Sequence, residues 1–128
     1  MVKLPVEVHK LLDTPEVATF ATIEPNGQPQ LSVVWVRRDG DEVLASTVRS
    51  TRKALNMDRD ARATVLVHAK DDPAHYVEIR GTVSMVDDLE GRLMNELSYQ
   101  YKGMPWTRDA PGSVRVVIRL TPTKVIAH

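Results

Sequence analysis

The chain contains no cysteine, which excludes disulfides, thiolate metal centres and a cysteine nucleophile. Aromatic side chains are scarce, with one Phe, two Trp and three Tyr in 128 residues, so the core must be filled chiefly by Val, Leu, Ile and Ala. Net charge is absent as well. Seventeen basic side chains balance 17 acidic ones, and nothing global draws the protein to nucleic acid or to an anionic membrane. No segment approaches the roughly 18 apolar residues of a membrane span. The opening MVKLPVEVHKLLD carries Glu7 and Asp13 where a secretion signal needs an uninterrupted apolar stretch. A cytoplasmic protein is expected, with neither nucleic acid nor membrane as partner.

Several chemical signatures are also missing. There is no GxxxxGK phosphate loop, no GxGxxG dinucleotide fingerprint, no GxSxG nucleophile elbow and no HExxH, which removes the usual nucleotide hydrolases, Rossmann enzymes, serine hydrolases and zincins. His9, His68, His75 and His128 show no paired-ligand spacing, so no metal site is expected.

What is present is a mainly β pattern. Leu4, Val8, Leu11 and Leu12 fall at helical spacing behind Pro5, which a first turn tolerates. The stretch VATFATIEPNGQPQLSVVWVRRDGDEVLAST then reads as a meander of three extended runs, punctuated by Pro25-Asn26-Gly27 and by Asp39-Gly40-Asp41. A helix is predicted from about Thr51 to Met57, a strand over ARATVLVHA, and a long strand over HYVEIRGTVSMV. In that long strand Gly81 marks a bulge or a close approach by another backbone. Leu89, Leu93, Met94, Leu97 and Tyr101 trace one face of a helix from Asp87 to about Lys102. A Gly/Pro-rich loop follows, and VRVVIRLTPTKVIA closes the chain as one strand bent at Pro122, or as two. Six or seven strands with two or three helices, and no regular βαβ alternation, favour one domain over residues 1–128, an antiparallel barrel with short helices.

The unusual feature is STVRSTRKALNMDRD, residues 46–60, where Arg49, Arg52 and Lys53 crowd the junction between a strand end and a helix start. A helix N-terminus is already positive, so cations there cost stability unless an anion is expected. Ser46 and Thr47 at the strand end, Ser50 and Thr51 as candidate N-caps, free amides and the Arg52–Lys53 pair converge on a possible anion site. The competing reading is a solvated helix start whose cations pair with Asp58 and Asp60. Trp35, between Val34 and Val36, is sent by alternation to the face opposite its neighbours, where it lines an interface or a ligand groove or simply packs. Trp106, beside Met104 and Pro105, poses the same choice.

The order of these elements resembles the flavin-binding split barrels, the pyridoxamine 5′-phosphate oxidase-like proteins. Within them it is most similar to the deazaflavin (coenzyme F420) dependent oxidoreductases of group B. The markers are ATFATIEPNGQPQLSVVWV, LASTVRSTRKALNMDRDARATVLV, YVEIRGTVSMVDD and VVIRLTPTKV, in order and over nearly the whole chain. The resemblance implies a six-stranded antiparallel split barrel pairing into a homodimer, with cofactor sites shared between subunits. It implies that Arg52 and Lys53 grip the cofactor phosphate, with Ser46, Thr47 and Ser50 beside it and Asn56 as a lesser contact. Pro29, Gln30, Ser32 and Trp35 fall where the family meets the tricyclic ring. The implied activity is hydride transfer from reduced F420 to an electron-poor conjugated acceptor such as a quinone, enone or tetrapyrrole. FMN is the alternative cofactor and a non-enzymatic F420 carrier the alternative function. No catalytic acid or base is assigned; His75 and Tyr76 are candidate proton donors, and Arg49 is either solvated or a contact to the cofactor's acidic tail. RLTPTKVIAH lacks the arginine pattern with which pyridoxamine phosphate oxidases hold their substrate, so that activity is not expected.

Overall fold

The computed structural model describes residues 2–128. Three helices and seven strands follow in the order α1 (Val6–Asp13), β1 (Ala18–Ile23), β2 (Pro29–Val34), β3 (Val36–Asp39), β4 (Glu42–Val48), α2 (Arg52–Arg59), β5 (Arg62–Ala69), β6 (Asp72–Asp87), α3 (Arg92–Lys102) and β7 (Arg115–Ala127). All the strands pair antiparallel in one sheet of order β2-β1-β5-β6-β7-β4-β3.

That order forces the sheet to curl. Its two outermost strands, β2 and β3, are consecutive in the chain and separated only by Trp35. Laid flat, seven strands would put those edges roughly 29 Å apart, whereas one residue spans at most about 7 Å between its neighbours. The edges must therefore come round to meet, giving the split barrel. The expected count of six strands is corrected to seven, because the extended run through Val34-Trp35-Val36 breaks at Trp35 and leaves one sheet edge for the other.

The barrel interior is aliphatic, as the scarcity of aromatics requires. Phe20, Val36, Val65, Val77, Ile79 and Ile118 are all within 1 % of complete burial. Helix α1 adds Val8, Leu11 and Leu12 to this core from one end. A smaller cluster on the outside, Leu44 with Leu93 and Leu97, seats α3 on the sheet.

Two local departures have clear causes. Helix α3 begins at Arg92 and not at Asp87, because Asp87 still pairs with Val116 in the ladder. The Asp88 carboxylate then accepts from the Arg92 and Leu93 amides at 3.0 and 2.9 Å, capping the helix there. The last segment is one strand through Pro122, with a register shift opposite Arg80 and Gly81. Gly81 there serves both purposes its position suggested, since a Cβ at Gly81 would lie 2.2 Å from the Thr121 carbonyl oxygen.

Candidate functional site

Where β4 gives way to α2, the backbone amides of the helix start need partners. Thr51 is the N-cap, with its hydroxyl 3.4 Å from the Ala54 amide. The same hydroxyl donates to the Val48 carbonyl at 2.8 Å. Its one proton is thereby used, so the 2.9 Å contact with Thr47 has Thr47 Oγ1 as donor. The N-cap is Thr51; Ser50 lies exposed before it.

Lys53, in the first turn of α2, reaches across to the edge strand β2 and donates to Ser32 Oγ at 2.9 Å. No carboxylate accompanies it. Burial lowers the Lys53 pKa below the ordinary lysine value, and the nearby Arg115 guanidinium pushes the same way. An ammonium held without a counter-anion beside hydroxyls is a site prepared for one. Close by, Ser46 Oγ is buried and finds no hydrogen-bond partner among the described residues, a state that costs free energy unless a ligand relieves it.

These groups line a cleft of about 310 Å³. Its polar lining is Ser46, Thr47, Thr51, Lys53 and Arg115, and its apolar lining includes Val33, Trp35, Met94, Leu97 and Trp106. Trp35 faces away from the buried Val34 and Val36, and its indole stacks on Tyr101 of α3 with centroids 5.2 Å apart and planes 14° apart. Tyr101 also holds the β2–β3 break together. Its hydroxyl accepts from the Val36 amide at 3.1 Å and shares its proton between the carbonyls of Glu16, at 2.9 Å, and Val36, at 3.0 Å. Trp106 meets Trp35 edge-on at 5.9 Å. It is fixed by Asn95, which accepts from its backbone amide at 3.0 Å, and by Asp109, which accepts from its indole N–H at 2.8 Å.

The residues of the sequence-based site do not all meet here. Ser46, Thr47, Lys53 and Trp35 line the cleft, and Ser32 touches it through Lys53. Arg52 points elsewhere, 68 % exposed and 3.4 Å from Glu24 in a groove beside the first hairpin turn. Asn56 is buried, donating to Thr22 at 3.0 Å and accepting from Arg59 at 3.2 Å. Gln30 accepts from Thr22 at 2.7 Å, and Pro29 is exposed at the start of β2. Arg49 pairs at the surface with Asp87 at 2.6 Å, and more distantly with Asp58. His75 lines a separate groove beside α1, and Tyr76 stacks on His128 at 4.6 Å.

One cleft residue has no mark in the sequence. Arg115 enters because β7 pairs with β4 in a register that sets it opposite Val48. Its guanidinium lies 5.4 Å from the Trp106 ring centre and binds Asp109 at 2.7 Å. Asp109, held below the usual carboxylate range by Arg115, neutralises it. Lys53 remains as the uncompensated cation of the cleft.

Residues 4–128 match the family model described as pyridoxamine 5′-phosphate oxidase. The chain belongs to that family. Members of the pyridoxamine 5′-phosphate oxidase family are flavin-binding split barrels, which is the fold found here. Among solved structures it is similar to an F420 reductase, with 29% identity, a TM-score of 0.87 and coverage of 96% of this chain and 98% of that one. It is also similar to a conserved hypothetical protein of Mycobacterium tuberculosis, at 25% identity and a TM-score of 0.76, covering 98% of this chain and 84% of that one. A pyridoxamine 5′-phosphate oxidase-related, FMN-binding protein of Nostoc punctiforme shares the fold at 14% identity and a TM-score of 0.63, covering 91% and 74%. No curated protein sequence matches the chain.

The cleft suits a cofactor of this kind. A phosphate would meet Lys53 Nζ and the unpartnered Ser46 Oγ, while a flat tricyclic ring would lie against Trp35, Val33 and Trp106.

Proposed function

We propose that the protein is an F420H2-dependent reductase that passes a hydride to an electron-poor conjugated small molecule. The observation that carries this reading is the Lys53 ammonium, bonded to Ser32 but paired with no carboxylate, lining one cleft together with the orphaned Ser46 hydroxyl and both tryptophans. The similarity to an F420 reductase over nearly the full length of both chains favours deazaflavin over FMN.

When bound, reduced F420 supplies the hydride. The chain's part is binding and orientation. Lys53 and Ser46 anchor the phosphate, and the Trp35–Tyr101 stack presents a rigid surface to the ring. Among the described residues, Lys53 and Arg115 are the titratable side chains that line the cleft. Neither is a carboxylic acid or an imidazole, and no catalytic acid or base is assigned to the cleft.

The same reading includes a homodimer. Leu31 and Val33, on the outer face of the edge strand β2, are 62% and 70% exposed, and Leu55 on α2 is 57% exposed. Apolar side chains on an exposed sheet edge call for a cover, and a second copy of the chain seated there would close the open side of the cleft.

Titration with F420 and with FMN is the deciding experiment. Quenching of F420 fluorescence at micromolar protein, with FMN at least tenfold weaker, is the expected result. A yellow protein as purified, or tighter FMN binding, would replace deazaflavin with flavin. Tight F420 binding without turnover of quinones, enones or tetrapyrroles would make the protein a carrier.

A further inference from the structure

Trp35 and Trp106, the chain's only tryptophans, are shared by two cavities. They wall the Lys53 cleft, and they also wall a second cavity of about 210 Å³ completed by Ser98, Lys102, Met104, Pro105, Thr107 and Arg108. The second cavity has aromatic and apolar lining together with two exposed cations, Lys102 and Arg108. No carboxylate lines it. Neither Lys102 nor Arg108 forms an ion pair among the described residues. The nearest acid on this loop, Asp109, is committed to Arg115 and to the Trp106 indole. Arg108 leans over Trp106, 5.8 Å from the ring centre, so its charge is held at the aromatic wall.

The geometry points to this second cavity as a subsite for a flat conjugated carboxylate, its ring against Trp35 and Trp106 and its anionic group between Lys102 and Arg108. A flexible oligo-acid, such as the acidic tail of the cofactor, would use the cations and leave the aromatic walls idle. A neutral ring would do the reverse. Only an aromatic anion uses both, which is the complementarity that sets ligand choice. Because the two cavities share their tryptophans, a ligand here lies beside whatever occupies the Lys53 cleft. Its role as hydride acceptor rests on the reductase reading above; its binding does not.

The test exploits the position of the tryptophans. In cofactor-free protein, anthraquinone-2-carboxylate and its methyl ester are titrated against intrinsic tryptophan fluorescence, which reports from both cavities that Trp35 and Trp106 wall, so the Lys102/Arg108 variant assigns the signal to this one. The acid is expected to bind about tenfold more tightly than the ester, as two partly exposed charge contacts allow. In Lys102→Ala/Arg108→Ala, whose changes fall on exposed side chains, the preference should vanish while F420 affinity stays within about twofold. Equal binding of acid and ester, or a preference that survives in the double variant, overturns the subsite. So does a fall in F420 affinity without any acid preference, which would give the cations to the cofactor's tail. An acid preference in a protein that does not bind F420 upholds the subsite and overturns the reductase reading alone.

Discussion

Lys53 Nζ and Ser32 Oγ, 2.9 Å apart, join the first turn of α2 to the edge strand β2. The bond fixes the cation at the cleft with no carboxylate to compete for it. Its sequence neighbour Arg52 already has Glu24 and lies mostly in solvent. The two cations that look equivalent in the sequence are thereby separated. Lys53→Ala should weaken F420 binding about tenfold or more, the loss of one charge-assisted phosphate contact. Arg52→Ala should change it by about twofold or less, as expected of a screened surface charge. Fluorescence titration of both variants checks this, and equal losses would return Arg52 to the phosphate site.

The depressed pKa of Lys53 gives binding a pH signature. Burial, then the Arg115 charge, lowers the folded-state value below the 10.5 of a free lysine. The phosphate contact requires the ammonium, so affinity should fall as pH rises through that lowered value, before an ordinary lysine would titrate. Stability moves the opposite way. Between the lowered value and 10.5 the unfolded chain keeps a proton that the folded chain has released, so unfolding free energy rises with pH across that window. Below the window both states are protonated and the cost of burying the charge is fully present. Lys53→Arg, which does not deprotonate in this range, should flatten the alkaline loss of affinity. A profile unchanged by that substitution would disconnect Lys53 from the cofactor.

The exposed Leu31 and Val33 make the dimer testable without changing Lys53 or Ser46. Placing Glu at both positions should convert a dimer to monomer by light scattering, because two buried like charges per copy face each other across a two-fold contact. Thermal unfolding of the monomer should stay two-state. A wild-type protein that is monomeric at micromolar concentration, or a double variant that remains dimeric, would rule out this face.

Much of the architecture was legible because it is written in local pattern. The hairpin turns at Asn26-Gly27 and Gly40 stand where the strands break, and the 3.6-residue spacing of Leu93, Leu97 and Tyr101 marks α3. The bulge at Gly81 was marked by the one residue that tolerates it. What local pattern does not carry is register and side-chain direction. Arg115 enters the cleft only through its pairing opposite Val48, and Asn56 turns inward to Thr22 across 34 residues of sequence. The helix start likewise shows Arg52 and Lys53 side by side, yet successive residues on a helix point about 100° apart. One therefore faces the cleft and the other the hairpin turn.

Gly81 sets the sharpest limit on the fold. It sits where the register of β6 against β7 shifts, opposite Pro122. Its backbone is not in the left-handed region, unlike that of Gly27 with φ 89°, so an alanine at Gly81 meets no conformational penalty of its own. The obstacle is the Thr121 carbonyl, whose oxygen would lie 2.2 Å and carbon 2.9 Å from the new Cβ. Both atoms are backbone and belong to the longest ladder of the sheet, so neither can rotate aside. Gly81→Ala should cost about 3 kcal/mol or more, lowering Tm by about 10 °C or more for a domain of this size. Gly27→Ala is the control: open space surrounds its Cβ, and only the positive φ opposes it, at about 1 kcal/mol. Differential scanning calorimetry of the pair separates crowding from conformation. If the two variants lose the same stability, or Gly27→Ala loses more, the close approach of β7 at Gly81 is not what makes glycine necessary there.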